Sequence, residues 1–347
     1  MDRIIRVLVV DDSAYVRKVV RQMLSRSPFI EVVGIAHDGI EALELVEELK
    51  PDVVTLDLIM PRMDGLGFLQ AQMARRPLPV IICSIASESG EMALKALELG
   101  AIDFIQKPTA LATERVFEIS DDLIEKVKTA AQIALRGKTP GAARGTPPVA
   151  LDTAARQHVA DAVVLGISTG GPQALRYLIP QIPADFPAPI AMVLHMPVGY
   201  TEMYAAKLNE ISRIQVSEAH EGDVMRPGIA LLAPAGRHLS LTRNAEGAVV
   251  AHLDARPFDT PHRPAVDVLF RSAADVYHNR LLGVVMTGMG SDGMQGAAWI
   301  KAQGGLVFTE AEESCVVYGM PRSVVEAGLS DRAVPLDRMA QAIMETV

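Results

Sequence analysis

Two groups of residues in this chain have the types and spacing that chemistry requires. In the second half, an apolar run at residues 162–165 opens into Gly166-Ile167-Ser168-Thr169-Gly170-Gly171, a strand-to-turn sequence that leaves one serine hydroxyl exposed at a sheet edge. A serine hydroxyl is a weak nucleophile until a base takes its proton, so Ser168 needs a histidine, a group that orients it and donors for an oxyanion. His195 follows the next apolar strand, and Asp292 follows a later one within Thr287-Gly288-Met289-Gly290-Ser291-Asp292-Gly293. Ser168 would attack a carbonyl, His195 would move the proton, and Asp292 would hold the imidazole tautomer. Thr169, by its amide or hydroxyl, and a backbone N–H near Met289 are the candidate oxyanion donors.

In the first half, Asp11 and Asp12, Asp57, Ser84 and Lys107 each stand at or just beyond the end of an apolar run. Three carboxylates on one sheet edge repel one another, and together they form a hard oxygen site suited to Mg²⁺. Asp57 is the candidate nucleophile toward a phosphoryl group, with Lys107 and the Ser84 hydroxyl holding its oxygens. Phe104 is a candidate rotamer reporter of the switch.

Each residue also has an ordinary reading. The glycine turn around Ser168 could be a nest for a bound anion, although no Walker lysine follows. His195 alone reads as a satisfied strand-end histidine, Asp292 alone as a turn or helix cap, and each acid of the first half as a cap. His262, in a loop before a helix that starts near Ala265, competes with His195 for the base and ranks second. His37, His158, His220, His238, His252 and His278 have surface-like neighbours and receive no chemistry. The conjunction of strand-end positions, rather than any one residue, favours the chemical readings.

The elements must place these residues together. Strands at residues 7–10, 32–36, 53–56, 80–83 and 104–105 alternate with helical apolar stripes, which predicts a parallel sheet. A further helix is expected over residues 121–135, and residues 137–148, rich in Gly and Pro, read as a tether. Beyond it, strands at 162–167, 190–194, 229–232, 281–286 and 306–308 form a second α/β domain. A hairpin-like insertion has arms at 237–241 and 248–253. The expected fold is two-domain α/β: a parallel-sheet unit at 1–120, a helix and linker at 121–160, and a doubly wound, mainly parallel sandwich at 161–347.

At 347 residues and 49% hydrophobic, the chain can bury two cores. A net charge of -9 and the lack of a basic cluster argue against nucleic acid. A DNA-binding output finds no helix-turn-helix segment to support it, whereas a non-catalytic binding module stays open on residues alone. Two widely separated cysteines suggest a reducing compartment, and the absence of signal-like or membrane-length apolar runs predicts a cytoplasmic protein without membrane insertion.

The motifs also resemble known families. Val7-Leu8-Val9-Val10-Asp11-Asp12-Ser13, Asp57-Leu58-Ile59-Met60-Pro61-Arg62-Met63-Asp64-Gly65 and Lys107-Pro108 resemble the receiver domain of two-component response regulators. That resemblance implies a flavodoxin-like fold, Mg²⁺ and phosphorylation of Asp57 by a histidine kinase. Gly166-Ile167-Ser168-Thr169-Gly170-Gly171-Pro172, His195-Met196-Pro197, His262-Arg263-Pro264-Ala265-Val266-Asp267-Val268-Leu269-Phe270 and Thr287-Gly288-Met289-Gly290-Ser291-Asp292-Gly293 resemble the catalytic domain of the chemotaxis protein-glutamate methylesterases. This second resemblance implies Ser168, His195 and Asp292 as the triad, with Thr169 and Met289 beside them and no cofactor for the esterase step. It also implies methyl-accepting chemotaxis receptors as substrates and deamidation of receptor glutamines, and the tether between two strand-end sites predicts that the unphosphorylated receiver packs across the Ser168 cleft and inhibits it. Leu194 stands where that family often has glutamine, and Ile85 follows Ser84 where a second serine is common.

Overall fold

The computed structural model describes residues 3–84, 86–107, 113–135 and 160–347, and the chain divides into two compact units, Met1–Thr139 and Pro140–Val347. In the first unit, β1 (Ile5–Val10), β2 (Ile30–Ala36), β3 (Val53–Asp57), β4 (Val80–Ser84) and β5 (Asp103–Gln106) form a parallel sheet in the order β2-β1-β3-β4-β5. Every residue of β3 and β4 is buried, because helices cover both faces and leave no side of the strand for water.

Local chemistry sets where the helices begin. Ser13 caps α1 (Ala14–Leu24) by accepting the Val16 N–H, Asp38 caps α2 (Gly39–Leu49) through Ile40 and Glu41, and Asp64 caps α3 (Gly65–Arg75) through Gly67. Helix α4 spans Ala86–Glu98. The strand order reverses between β1 and β3, so the residues after these strands meet at one edge.

Helix α5 (Thr113–Leu135) differs from the expectation of a helix beginning at 121 outside a first domain of residues 1–120. Leu123, Ile124, Val127, Ala130 and Ala131 pack with Val7, Val9, Val20 and Leu24, so this helix completes the first unit's core. Its apolar stripe was legible, but a stripe does not name the sheet it covers. The expected tether at 137–148 lies outside the described residues.

The second unit runs through β6 (Ala162–Ile167), β7 (Ile190–Leu194), β8 (Gln215–Glu218), β9 (Ile229–Leu232), a hairpin of β10 (His238–Arg243) and β11 (Val249–Asp254), then β12 (Leu281–Val285), β13 (Leu306–Glu310) and β14 (Arg332–Val334). Seven of these strands form a parallel sheet in the order β14-β13-β12-β6-β7-β9-β8. Its helices are α6 (Gly171–Leu178), α7 (Thr201–Ile211), α8 (Val266–Tyr277), α9 (Met294–Ala302), α10 (Met320–Glu326) and α11 (Leu336–Thr346).

The central strand β6 is buried throughout, and each of its large aliphatic side chains contributes roughly 1.5–3 kcal/mol by leaving water. The hairpin lies on α8, where Leu239, Leu241, Ala251 and Leu253 join a core with Leu269, Phe270 and Ala273. The strand order switches direction between β6 and β12, with β7 on the other side of β6. Ser168, Asp292 and His195 follow these three neighbouring strands, which is the arrangement the chemistry needs.

Candidate active site

The nucleophile turn is built by backbone bonds and one left-handed glycine. The Ser168 N–H donates to the Thr287 carbonyl (3.0 Å), and the Gly171 N–H donates to the Ser168 carbonyl (2.7 Å). Gly170 has φ +81°, and a Cβ there would lie 2.6 Å from the Val316 Cβ, so both conformation and space call for glycine. The chain can therefore reverse from β6 into α6 within a few residues, leaving Ser168 partly exposed beside the buried Thr169.

His195 begins where β7 ends, and its N–H donates to the Ile167 carbonyl (3.1 Å), directly before Ser168. Its Nε2 lies 2.8 Å from Asp292 Oδ2, and its Nδ1 is buried without a hydrogen-bond partner. The ring of His262 stacks on it with centroids 4.1 Å apart and planes at 27°. Both histidines weighed from the sequence thus meet at the site, and Asp292 engages His195.

Asp292 is no ordinary turn cap. Besides His195 it accepts the Val266 N–H at Oδ2 (2.8 Å) and the Asp267 N–H at Oδ1 (2.9 Å). Burial pushes its carboxyl up, but the His195 contact and these two amides outweigh it and hold the group below the usual carboxylate range. An ionised Asp292 favours a proton on Nε2, which leaves the Nδ1 lone pair as the acceptor.

The segment bearing Met289 is braced from behind. The Gly288 carbonyl accepts the N–H groups of Gly319 (3.1 Å) and Met320 (2.9 Å). A Cβ on Gly288 would lie 2.4 Å from Met320 Sδ and 2.8 Å from Ser168 Cβ. Gly288→Ala is therefore expected to displace Ser168 or Met289 and lower kcat by about a hundredfold, the size of loss that follows a misplacement of about 1 Å. Steady-state rates beside a melting curve check it, since a change in stability alone would spare kcat.

Several supporting residues escaped the sequence reading. Thr287 Oγ1 donates to the Thr169 carbonyl (3.0 Å) and accepts the Val317 N–H (2.9 Å), while the Thr287 N–H donates to Glu310 Oε2 (2.9 Å). Glu310 ends β13 and is fully buried, the same strand-end signal that singled out the other acids. Leu194, the departure from the glutamine expected there, is buried and would be 2.6 Å from a Cβ on Gly171, so its role is packing at the start of α6. His238 is corrected: it is buried rather than on the surface, its Nδ1 accepting the Ala265 N–H (3.1 Å) and its Nε2 lying 3.0 Å from the Pro257 carbonyl.

Asp267, in the first turn of α8, is a further half-buried carboxyl beside Asp292. Burial raises its pKa to about 6, with Asp292 adding to the rise and the amides of Gly296 and Gly293 opposing it. A raised folded value means that stability from this group is complete below about 3.8 and is lost as the pH climbs through about 6. Asp267→Asn is accordingly expected to raise the melting temperature relative to wild type more at pH 8 than at pH 4. Melts at the two pH values check the sign.

The first unit has its own constellation. Asp11 and Asp12 follow β1, Asp57 ends β3, Ser84 ends β4 and Lys107 follows β5. Lys107 Nζ lies 2.7 Å from both Asp11 Oδ2 and Asp57 Oδ2, and Asp57 Oδ1 accepts the Leu58 N–H (2.7 Å). Burial pushes Lys107 toward neutrality, but the two carboxylates outweigh it and raise its pKa above the ordinary lysine value. Burial also raises Asp11, against the pull of Lys107. Among the described residues, Asp11, Asp12 and Asp57 each offer an oxygen within 4.8 Å of the others, a hard donor set that fits Mg²⁺. Phe104 is buried, and its carbonyl accepts from Lys126 Nζ (2.8 Å). Ile85 lies outside the described residues.

Comparison with known proteins finds a family match over each unit. The CheB methylesterase family model matches residues 163–343, and the response regulator receiver domain model matches residues 7–116. A Myxococcus xanthus protein named protein-glutamate methylesterase/protein-glutamine glutaminase 5 is 50% identical over 336 residues, covering 96% of each chain. A Pyrococcus horikoshii protein named protein-glutamate methylesterase/protein-glutamine glutaminase is 42% identical, covering 100% of this chain and 95% of that one. The crystal structure of the Thermotoga maritima CheB methylesterase catalytic domain is 41% identical, covers 54% of this chain and 99% of its own, and superimposes with a TM-score of 0.53. With a receiver domain preceding its esterase domain, the chain belongs to the CheB methylesterase family.

Proposed function

We propose that the protein hydrolyses glutamate methyl esters on methyl-accepting chemotaxis receptors, and deamidates particular receptor glutamines, through an acyl-serine formed on Ser168. The observation that carries this reading is the state of His195: Nε2 is engaged by Asp292 while Nδ1 is buried and unpartnered, and the backbone N–H of His195 donates to the Ile167 carbonyl directly before Ser168. Nδ1 takes the Ser168 proton as Oγ adds to the ester carbonyl. The imidazolium returns that proton to the departing methoxide, giving methanol and the acyl-serine. Water, deprotonated at Nδ1, then releases the glutamate carboxylate and restores Ser168. With a glutamine the leaving group is ammonia, and Asp292 stays ionised throughout.

Thr169 and the Met289 N–H are the proposed stabilisers of the oxyanion, each such donor contributing about a hundredfold or more in rate. A fluorophosphonate probe tests the nucleophile. Peptide mass spectrometry should find the adduct on Ser168 in the full chain and almost none in His195→Ala; an adduct elsewhere, or none in the wild type, would remove the assignment.

The receiver domain supplies regulation in the same proposal. Asp57 accepts a phosphoryl group from the histidine kinase of the pathway, Lys107 and Ser84 hold its oxygens, and Phe104 reports the change. Asp11, Asp12 and Asp57 would hold Mg²⁺, which neutralises charge on the phosphoryl oxygens. The unphosphorylated receiver restrains the esterase, and phosphorylation relieves that restraint. The proposed compartment is the cytoplasm, where Cys83 and Cys315, both buried and outside any disulfide, stay reduced. No described helix is long and apolar enough to cross a membrane.

A further inference from the structure

The first turns of α8 and α9 exchange carboxylates. Neither helix has a side-chain cap of its own: Ala265 precedes α8 and Gly293 precedes α9, and neither offers a capping oxygen. The orphan amides at the start of α8 are instead met by Asp292, which accepts the N–H groups of Val266 (2.8 Å) and Asp267 (2.9 Å). Those at the start of α9 are met by Asp267, whose Oδ1 accepts the N–H groups of Gly293 (2.9 Å) and Gly296 (2.7 Å). Each acid therefore caps the helix that the other one leads into or sits upon.

This reciprocity constrains the carboxylate that faces His195. Asp292 reaches the imidazole from a segment between Gly290 (φ +81°) and Gly293 (φ +97°), two positions where the backbone itself resists movement least. Two bonds to Asp267 fix the far side of that segment, and two amides of the Val266–Asp267 pair fix the carboxylate. The arrangement keeps two acids close together, which costs stability as Asp267 ionises. Such a cost is characteristic of groups retained for a site rather than for the fold.

We propose that Asp267 is a positioning residue of the esterase reaction, acting through Asp292 by holding the 290–293 segment in the place where Asp292 meets His195 Nε2. The proposal rests on the reading of Asp292 as the partner of the catalytic imidazole. Asp267→Ala removes both acceptor bonds, whereas Asp267→Asn keeps an oxygen in the same place.

The test is methanol release by the full-length protein from a methylated receptor cytoplasmic fragment, in a double-mutant cycle. Asp267→Ala is expected to lower kcat by roughly 30-fold with KM changed less than about threefold, and Asp267→Asn to recover most of that loss. In an Asp292→Ala background the same Asp267→Ala change should cost less than about threefold, because the residue through which it acts is gone. If Asp267→Ala proves unstable, Asp267→Ser, which can satisfy one amide but not two, takes its place in the same cycle. Equal losses in the two backgrounds, or full kcat in Asp267→Ala, would overturn this inference alone. Wild-type kcat in Asp292→Ala would overturn the triad reading, and the inference with it.

Discussion

Replacing His195 by alanine is expected to lower kcat for ester hydrolysis by about a millionfold, and replacing Asp292 by alanine to lower it by about ten-thousandfold. The difference follows from their positions. His195 supplies the only proposed proton acceptor for Ser168, so its loss leaves an un-ionised hydroxyl facing the ester. Asp292 acts one bond further away: it holds the imidazole with Nδ1 free, and without it the ring keeps its nitrogens but not their assignment. Adding Ser168→Ala to His195→Ala should cost almost nothing more, since members of one proton-transfer unit are not additive. Single-turnover rates for the three variants check the order, and a further large loss in the double variant would contradict it.

The second large effect concerns activation. Asp57→Asn is expected to abolish the response to a small phosphodonor, holding the rate at its unstimulated level, up to about a hundredfold below the stimulated one for a coupling of about 1 to 3 kcal/mol. Asp57 is the only one of the three acids at the β3 end, where its Oδ2 meets Lys107 and Oδ1 meets the Leu58 amide, so neither Asp11 nor Asp12 can replace it. Chelation by EDTA should mimic Asp57→Asn toward the phosphodonor while leaving the unstimulated esterase rate alone, because no step at Ser168 calls on a metal. Rates with and without phosphodonor, before and after chelation, check both claims.

Most of the fold was legible because the sheets are parallel and covered on both faces. Buried parallel strands such as β3 and β6 are written as continuous apolar runs, which composition alone reveals. The strands that escaped, β8 (Gln-Val-Ser-Glu) and β14 (Arg-Ala-Val), are short edge strands with polar or exposed residues, so they carry no such run. The place of α5 in the first unit escaped for a different reason: the apolar face at Leu123, Ile124 and Val127 has meaning only against the sheet it meets.

The site divides in the same way. Ser168, His195 and Asp292 were visible because each follows a strand and each carries a reactive group. Asp267, Thr287 and Glu310 act through backbone N–H and carbonyl groups of distant segments, and the bonds that define them span 23 to 118 positions of sequence. Spacing along the chain does not encode such pairs. His238 shows the converse, since polar neighbours in sequence placed it at the surface while the Ala265 amide and the Pro257 carbonyl bury it.

The most direct test is methanol release from a methylated receptor cytoplasmic fragment by the full-length wild type and by Ser168→Ala, each with and without a small phosphodonor and Mg²⁺. Release that requires Ser168 and rises with the phosphodonor is the predicted result. Equal release by the two proteins would contradict the account.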